Sequence, residues 1–243
     1  MKSATRNPKP AGNPPGEIRR VWVCFAVKEE ARAFQKLAGA RANVHVILVG
    51  MGKRNAEKAI RAALAKERPQ LVLTCGFAGG LNPVLAMGTV VFAADPETGL
   101  ESALLAAGAK PARFDCADSV AATAKQKRAL REATGADAVE MESGVICAVC
   151  REQNLPCATV RVILDTASEN LPLDFNQLMT ANQKLSYGKL ALALAKSPGK
   201  VAALLRLQKI AQTAAGKLAA VLGCITAAGL LRPACVTASR PGR

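Results

Sequence analysis

The stretch RVWVCFAVKEEARAFQKLAGARANVHVILVG, residues 20–50, decides the fold. Its opening run, RVWVCFAV, is continuously apolar and partly β-branched, which suits a strand buried on both faces. KEEARAFQKLAG then reads as a helix that stops near Gly39, the residue type favoured just past a helix end. NVHVILVG is a second buried-type strand, and Gly50-Met51-Gly52 makes the turn after it. Working outward, the same alternation continues. A helix spans 55–67 and is broken by Pro69. LVLTCGFAGG (71–80) begins as a strand and is expected to end in a glycine-rich turn at 76–80. GTVVFA, ADAVEM and PCATVRVILD read as further strands, with helices expected over 100–108, 121–133 and 142–154. Two helices parted by Ser197-Pro198-Gly199 finish the chain. Strands alternating with helices predict an α/β layered domain with a largely parallel sheet.

Composition narrows the classes. The chain has 243 residues, half of them hydrophobic but only 3% aromatic, which favours helices packed on a sheet over an all-β sandwich. Residues 1–19, polar, basic and proline-rich, lack the apolar core of a secretory signal and are expected to be a disordered leader. The domain is expected over 20–217, and 218–243 as a tail. No apolar run reaches the roughly 18–20 residues needed to span a bilayer. Eight cysteines stand at irregular spacings with a single CxxC pair, Cys147 and Cys150, which reads as free thiols in a reducing cytoplasm rather than as a zinc site. The one histidine, His45, sits inside an apolar run, so a histidine-activated nucleophile is not expected.

The net charge is +15, and from Phe175 onward there are ten basic residues and no acid. Such a block can meet nucleic acid or an anionic membrane. Its only aromatic residues are Phe175 and Tyr187, too few for stacking on bases, so no nucleic-acid partner is expected. Basic residues from Lys189 to Lys217 among Leu, Ala and Val instead raise peripheral membrane contact, against the ordinary use of apolar stripes in core packing.

In open α/β sheets, ligands lie outside the carboxyl ends of the strands. Here those ends carry Glu29 and Glu30, the glycines of 76–80, Glu140-Met141-Glu142, and Asp165. A pair of acids at a helix start has an ordinary explanation, since the first turn favours negative charge. Four strand ends bearing acids or tight glycines form a stronger signal than any one of them.

The segments AVKEEARAF, VGMGKRNAEKA, CGFAGGLNPVLAMGTVV and AVEMESGVICAVCREQNLPCATVRVILDTA occur in the order and spacing of the nucleoside phosphorylase and nucleosidase superfamily. Over 20–214 the chain resembles it, most of all the hopanoid-associated phosphorylases, which share ATGADAVEMES, LPLDF, SPGK and ALLRLQKIA. The methylthioadenosine nucleosidases resemble it more distantly. The resemblance implies a three-layer αβα sandwich with a mixed, largely parallel twisted sheet. It also implies release of adenine from a 5′-substituted nucleoside such as adenosyl hopane. The implied roles are Asp165 as proton donor to the leaving base, Glu30 as the acid near the nucleophile, and Glu142 with Met141 as the ribose clamp. Glu140, Gly76, Phe77, Ala78 and Gly79 complete the expected substrate-binding set. Chemistry agrees: a base leaves more readily when protonated, and a carboxylate can both hold ribose hydroxyls and face a developing cation. A homodimer or higher oligomer is expected, and no cofactor other than phosphate as co-substrate.

Three departures bear on activity. Where larger phosphorylases anchor phosphate, this chain has Thr74 and Phe77; Lys53 or Arg54 are the expected substitutes. The segment FAADPETGLESALL (92–105) is shorter than in most relatives, which would open the pocket to a bulky 5′ group or leave an inactive, nucleoside-binding relative. Lys28 stands beside Glu30. The acceptor is divided: Glu30 favours water, the resemblance favours phosphate, and phosphorolysis leads narrowly over hydrolysis.

Overall fold

The strand β1 (Val21–Phe25) is buried over its whole length. It lies between β2 (Val44–Leu48) and β3 (Leu71–Gly80), parallel to both. In this computed structural model, residues 20–39, 41–180, 186–196 and 199–226 are described. The expected leader and all but the start of the expected tail lie outside them.

Alternate residues of β1 explain the layering, because successive side chains in a strand face opposite ways. Val21, Val23 and Phe25 pack with Phe34 of α1 (Lys28–Ala38) and with Leu218 and Leu222 of the last helix. Trp22 and Cys24 pack on the other face with Ile60 of α2 (Lys53–Leu64) and with Ile146 and Val149 of α5 (Ser143–Glu152). Helices therefore cover both faces of one sheet, the αβα sandwich.

The sheet has eight strands. After β3 come β4 (Val90–Ala94), β5 (Lys110–Pro111), β6 (Phe114–Cys116), β7 (Ala138–Glu140) and β8 (Cys157–Asp165). The main path runs β2-β1-β3-β8-β4-β5, and β7 pairs with β3 and β6. β4 against β8 and β7 against β3 are antiparallel; the other pairs are parallel. The short β5 and β6 were absent from the sequence reading. The remaining helices are α3 (Glu101–Ala106), α4 (Ala124–Thr134), α6 (Phe175–Leu178), α7 (Tyr187–Lys196) and α8 (Lys200–Ile225).

Two expectations need correction. Residues 76–80 are not a turn: β3 runs on through them, paired with β8 as far as Gly79 and with β7 at Gly79 and Gly80. The glycines serve close approach instead. At Gly76, φ is +151°, and a Cβ would meet the guanidinium of Arg161 and lie 2.7 Å from Glu30 Oε1. Nor does a tail begin at 218. α8 continues to Ile225, and Leu218, Ala219, Val221, Leu222 and Ile225 are among its buried residues. Gly223 lets the helix lie against Leu37, whose side chain a Cβ would strike. The first half of α8 is mostly exposed, Leu205 and Val201 included, as is Leu192 of α7.

Among the described residues, no helix is long and apolar enough to cross a membrane, and no group of side chains could hold a metal ion. Seven described cysteines are free thiols, and His45 is exposed on the edge strand β2.

Candidate active site

The ends of β3, β7 and β8 and the start of α1 enclose a cavity of about 280 Å³. Glu30, Phe77, Ala78, Gly79, Glu140, Met141, Glu142 and Asp165 all line it. Gly76 does not line it; it lies behind the wall, against Arg161 and Glu30. Lys28 and Glu29 are exposed.

Glu30 is the third residue of α1, and its carboxylate turns back over the helix start. Oε2 accepts from the backbone N–H of Ala26 at 3.1 Å and of Val27 at 3.4 Å, and Oε1 accepts from Phe77 N–H at 2.9 Å. The first two satisfy donors at the start of α1, and the third ties the helix to β3. Burial nevertheless dominates and raises the Glu30 pKa, against the opposing pull of Arg161 and the three N–H groups.

Glu140 and Glu142, two residues apart, do different work. Glu140 accepts from the backbone N–H of Glu142 and Ser143 at 3.0 and 2.7 Å, and from Ser143 Oγ at 2.6 Å. It therefore caps the start of α5, the ordinary role of an acid at a helix start. It also takes the guanidinium of Arg161 at 2.5 Å. Its pKa is lowered: burial pushes it up, but Arg161 and the cap bonds together outweigh that. Glu142 is left with one bond, from Gly52 N–H at 2.7 Å, and with Arg161 at 3.7 Å. Burial pushes its pKa up to about 7, assisted by the charges of Glu140 and Glu30. Arg161, fully buried on β8, thus has Glu140 as its acid partner. It sits among three carboxylates and also donates to Thr74 Oγ1 at 3.1 Å; Thr74 does not line the cavity.

Asp165 ends β8 at the far side of the cavity. Burial raises its pKa, and Lys127 opposes the rise. Lys127 of α4 forms an ion pair with Asp165 Oδ2 and is 0% exposed. In the sequence this lysine is one of four cations of ordinary surface appearance in α4, and nothing there singles it out.

The wall also includes residues not anticipated as a group. Two segments contribute to it, one through Ser119, Val120 and Ala121 and the other through Leu171, Phe175 and Met179, together with Leu207 of α8. Asn176 holds the two sides together, accepting from Val120 N–H at 2.8 Å and donating to Val120 O at 2.9 Å. No residue of the short segment 92–105 lines the cavity; Leu100 and Leu104 there belong to the core under α8. Lys53 is paired with Asp118 at 2.7 Å, Arg54 is exposed, and neither lines the cavity.

The arrangement can place a carboxyl group that resists ionisation at each end of a mainly apolar chamber. A family model for the phosphorylase superfamily matches residues 24–105 and 110–196. A 5′-methylthioadenosine/S-adenosylhomocysteine nucleosidase of Anoxybacillus flavithermus is 26% identical over 172 residues, 57% of this chain and 74% of that protein. The solved structure of such a nucleosidase from Colwellia psychrerythraea, in complex with adenine, matches with a TM-score of 0.66 at 17% identity. The match covers 89% of this chain and 97% of that one. A futalosine hydrolase mutant of Helicobacter pylori matches with a TM-score of 0.60 at 18% identity, over 84% of this chain and 99% of that one. At these identities the structural likeness is one of fold.

Proposed function

The chain belongs to the phosphorylase superfamily, and from that premise we propose that it hydrolyses the N-glycosidic bond of a purine ribonucleoside and releases adenine. Asp165 gives its proton to the base as the bond to the sugar breaks and the bonding electrons leave with the base. Glu142 accepts hydrogen bonds from ribose hydroxyls, and its negative charge offsets the cationic character growing on the sugar. Met141 covers the sugar with a soft apolar side chain. Glu30 takes a proton from the water that attacks the sugar carbon. Asp165 ends ionised and Glu30 protonated, and exchange with solvent restores both.

The observation that carries this reading is the cavity wall itself. It combines Glu30, Glu142 and Asp165 with apolar residues, and no lysine or arginine is among its described residues. A phosphate stripped of water needs charged or multiple donors. The two buried cations beside the cavity, Arg161 and Lys127, already hold carboxylates. Water is therefore the favoured acceptor, and phosphorolysis is the alternative. The curated relative is named as a nucleosidase, which supports the same choice. Leu171, Phe175, Met179 and Leu207 offer apolar contact to a 5′ substituent. They favour an apolar one, the class that includes adenosyl hopane.

The test is product analysis with a panel of 5′-substituted adenosines, with and without phosphate. Adenine and a free sugar should form at the same rate in both conditions. A sugar 1-phosphate that requires added phosphate would make the reaction phosphorolysis, and no adenine from any member would remove the activity altogether.

A further inference from the structure

Lys127 is the most completely buried cation in the described chain that the reaction above does not use, at 0% exposure. Burying an ammonium is costly unless all its protons find acceptors. Here two hydrogen bonds and an ion pair offset that cost: Nζ donates to Thr166 O at 2.7 Å and Glu169 O at 2.9 Å, and its charge is paired with Asp165 Oδ2. Both carbonyls belong to the turn that follows Asp165. The same turn is closed from within by Glu169, which accepts from Thr166 N–H at 2.8 Å and Thr166 Oγ1 at 2.9 Å. It is tied to α4 a second time by Asn170, whose Oδ1 accepts from Ala124 N–H at 2.8 Å. One ammonium thus joins a helix, a turn and the carboxyl that ends β8.

We infer that Lys127 is the positioning residue of the base-side acid: it clamps Oδ2 of Asp165 to the turn behind it and leaves Oδ1 as the oxygen offered to the purine. The inference rests on Asp165 being the proton donor, as proposed above. Lys127 touches neither base nor sugar; it does not line the cavity. Its effect is exerted through Asp165 in two ways. The clamp fixes which oxygen faces the ligand. The positive charge stabilises the carboxylate that remains once the proton has moved to the base, so the acid gives up its proton more readily. The charged groups facing Asp165 are Lys127 from α4 and Glu169 from the turn, and they act in opposite senses.

The sign of the effect on pH dependence follows. Activity is lost on the alkaline side when Asp165 loses its proton before the base arrives. Removing the cation disfavours the carboxylate, so this limb moves to higher pH. An opposite charge at such a distance lowers a carboxyl pKa by about 1–3 units, so a shift of that size is expected.

The experiment compares Lys127→Gln and Lys127→Met with the full-length protein, reading kcat/KM for adenine release against pH. Lys127→Gln keeps an uncharged donor one atom short of the ammonium, and Lys127→Met keeps only an unbranched apolar stem. Both should show a lower plateau and an alkaline limb displaced upward. In an Asp165→Asn background, either change should cost almost no further activity. Folded variants with an unmoved limb, or losses that add fully to those of Asp165→Asn, overturn the inference. Failure of both variants to fold also overturns it, by making the lysine structural. If Asp165→Asn itself keeps wild-type turnover, the assignment of Asp165 fails first, and the two failures are distinguished.

Discussion

The two ends of the cavity handle charge differently. At one end a single guanidinium, Arg161, is surrounded by Glu30, Glu140 and Glu142. At the other a single ammonium, Lys127, is ion-paired with Asp165 and bonded to two carbonyls of the turn behind it. One cation cannot neutralise three buried carboxylates, and Glu140 takes most of it through a 2.5 Å contact and its cap bonds. Burial raises the pKa values of Glu30 and Glu142, and at Glu142 the charges of Glu140 and Glu30 add to the rise. Such an excess of latent negative charge suits a sugar that becomes cationic. At the base end Lys127 opposes the rise, while burial, with a smaller push from Glu169, keeps Asp165 inclined to hold its proton. That suits the proton donor proposed above.

The comparison breaks most sharply at Asp165. Asp165→Asn preserves shape but has no carboxyl proton to give. General acid catalysis contributes about 10²–10⁴ in rate, and adenine release should fall by that factor. Turnover close to wild type would mean that the base end performs no proton transfer, and the contrast between the two ends would have no chemical content.

How far the sequence foretold this contrast depends on what held each residue in place. Glu30, Glu142 and Asp165 stand at strand ends that alternation reveals, so their convergence was legible. Arg161 was legible as a buried arginine because it lies four residues before Asp165 in an apolar strand. Lys127 was not, because α4 carries four cations that look alike in sequence, and the turn at 166–169 decides which of them is buried. The division of labour between Glu140 and Glu142 was also hidden, since it depends on which carboxylate folds back onto the start of α5. Residues 76–80 read as a turn because glycine signals one locally; pairing with β7 and β8 overrides that signal. The end of α8 was read as a tail, whereas Gly223 there is one point of close contact with α1.

A smaller effect is expected from Gly76→Ala, which sharpens the comparison by disturbing only the crowded end. The new methyl would meet Arg161 and lie 2.7 Å from Glu30 Oε1, at a φ of +151° that other residues rarely adopt. Overpacking and backbone strain each cost about 1–3 kcal/mol, so urea unfolding should show a loss of about 2–4 kcal/mol. The base end, on the other side of the cavity, should keep its affinity for free adenine in equilibrium binding. A neutral effect on stability would mean that the guanidinium and its carboxylates are not packed around that glycine.

The smallest effect concerns stability rather than rate, and it isolates the surplus charge itself. The folded pKa of Glu142 is about 7, above its ordinary value of 4.5. A raised carboxyl pKa means that the folded state binds its proton more tightly than the unfolded chain. This favours folding below about pH 4.5, and that contribution is lost as pH rises through about 7. Glu142→Gln removes the ionisation while keeping an oxygen for the N–H of Gly52. In the absence of ligand the variant should therefore be more stable than wild type at pH 8, by on the order of 2 kcal/mol, and equal to it near pH 4. It should at the same time turn over ribonucleosides more slowly, because an amide holds the ribose hydroxyls less strongly than a carboxylate. Urea unfolding at pH 4, 6 and 8 reads the first effect, and adenine release reads the second. A stability difference that does not change with pH would place the cost of Glu142 in packing rather than charge, and Arg161 would then have to neutralise all three of its neighbours.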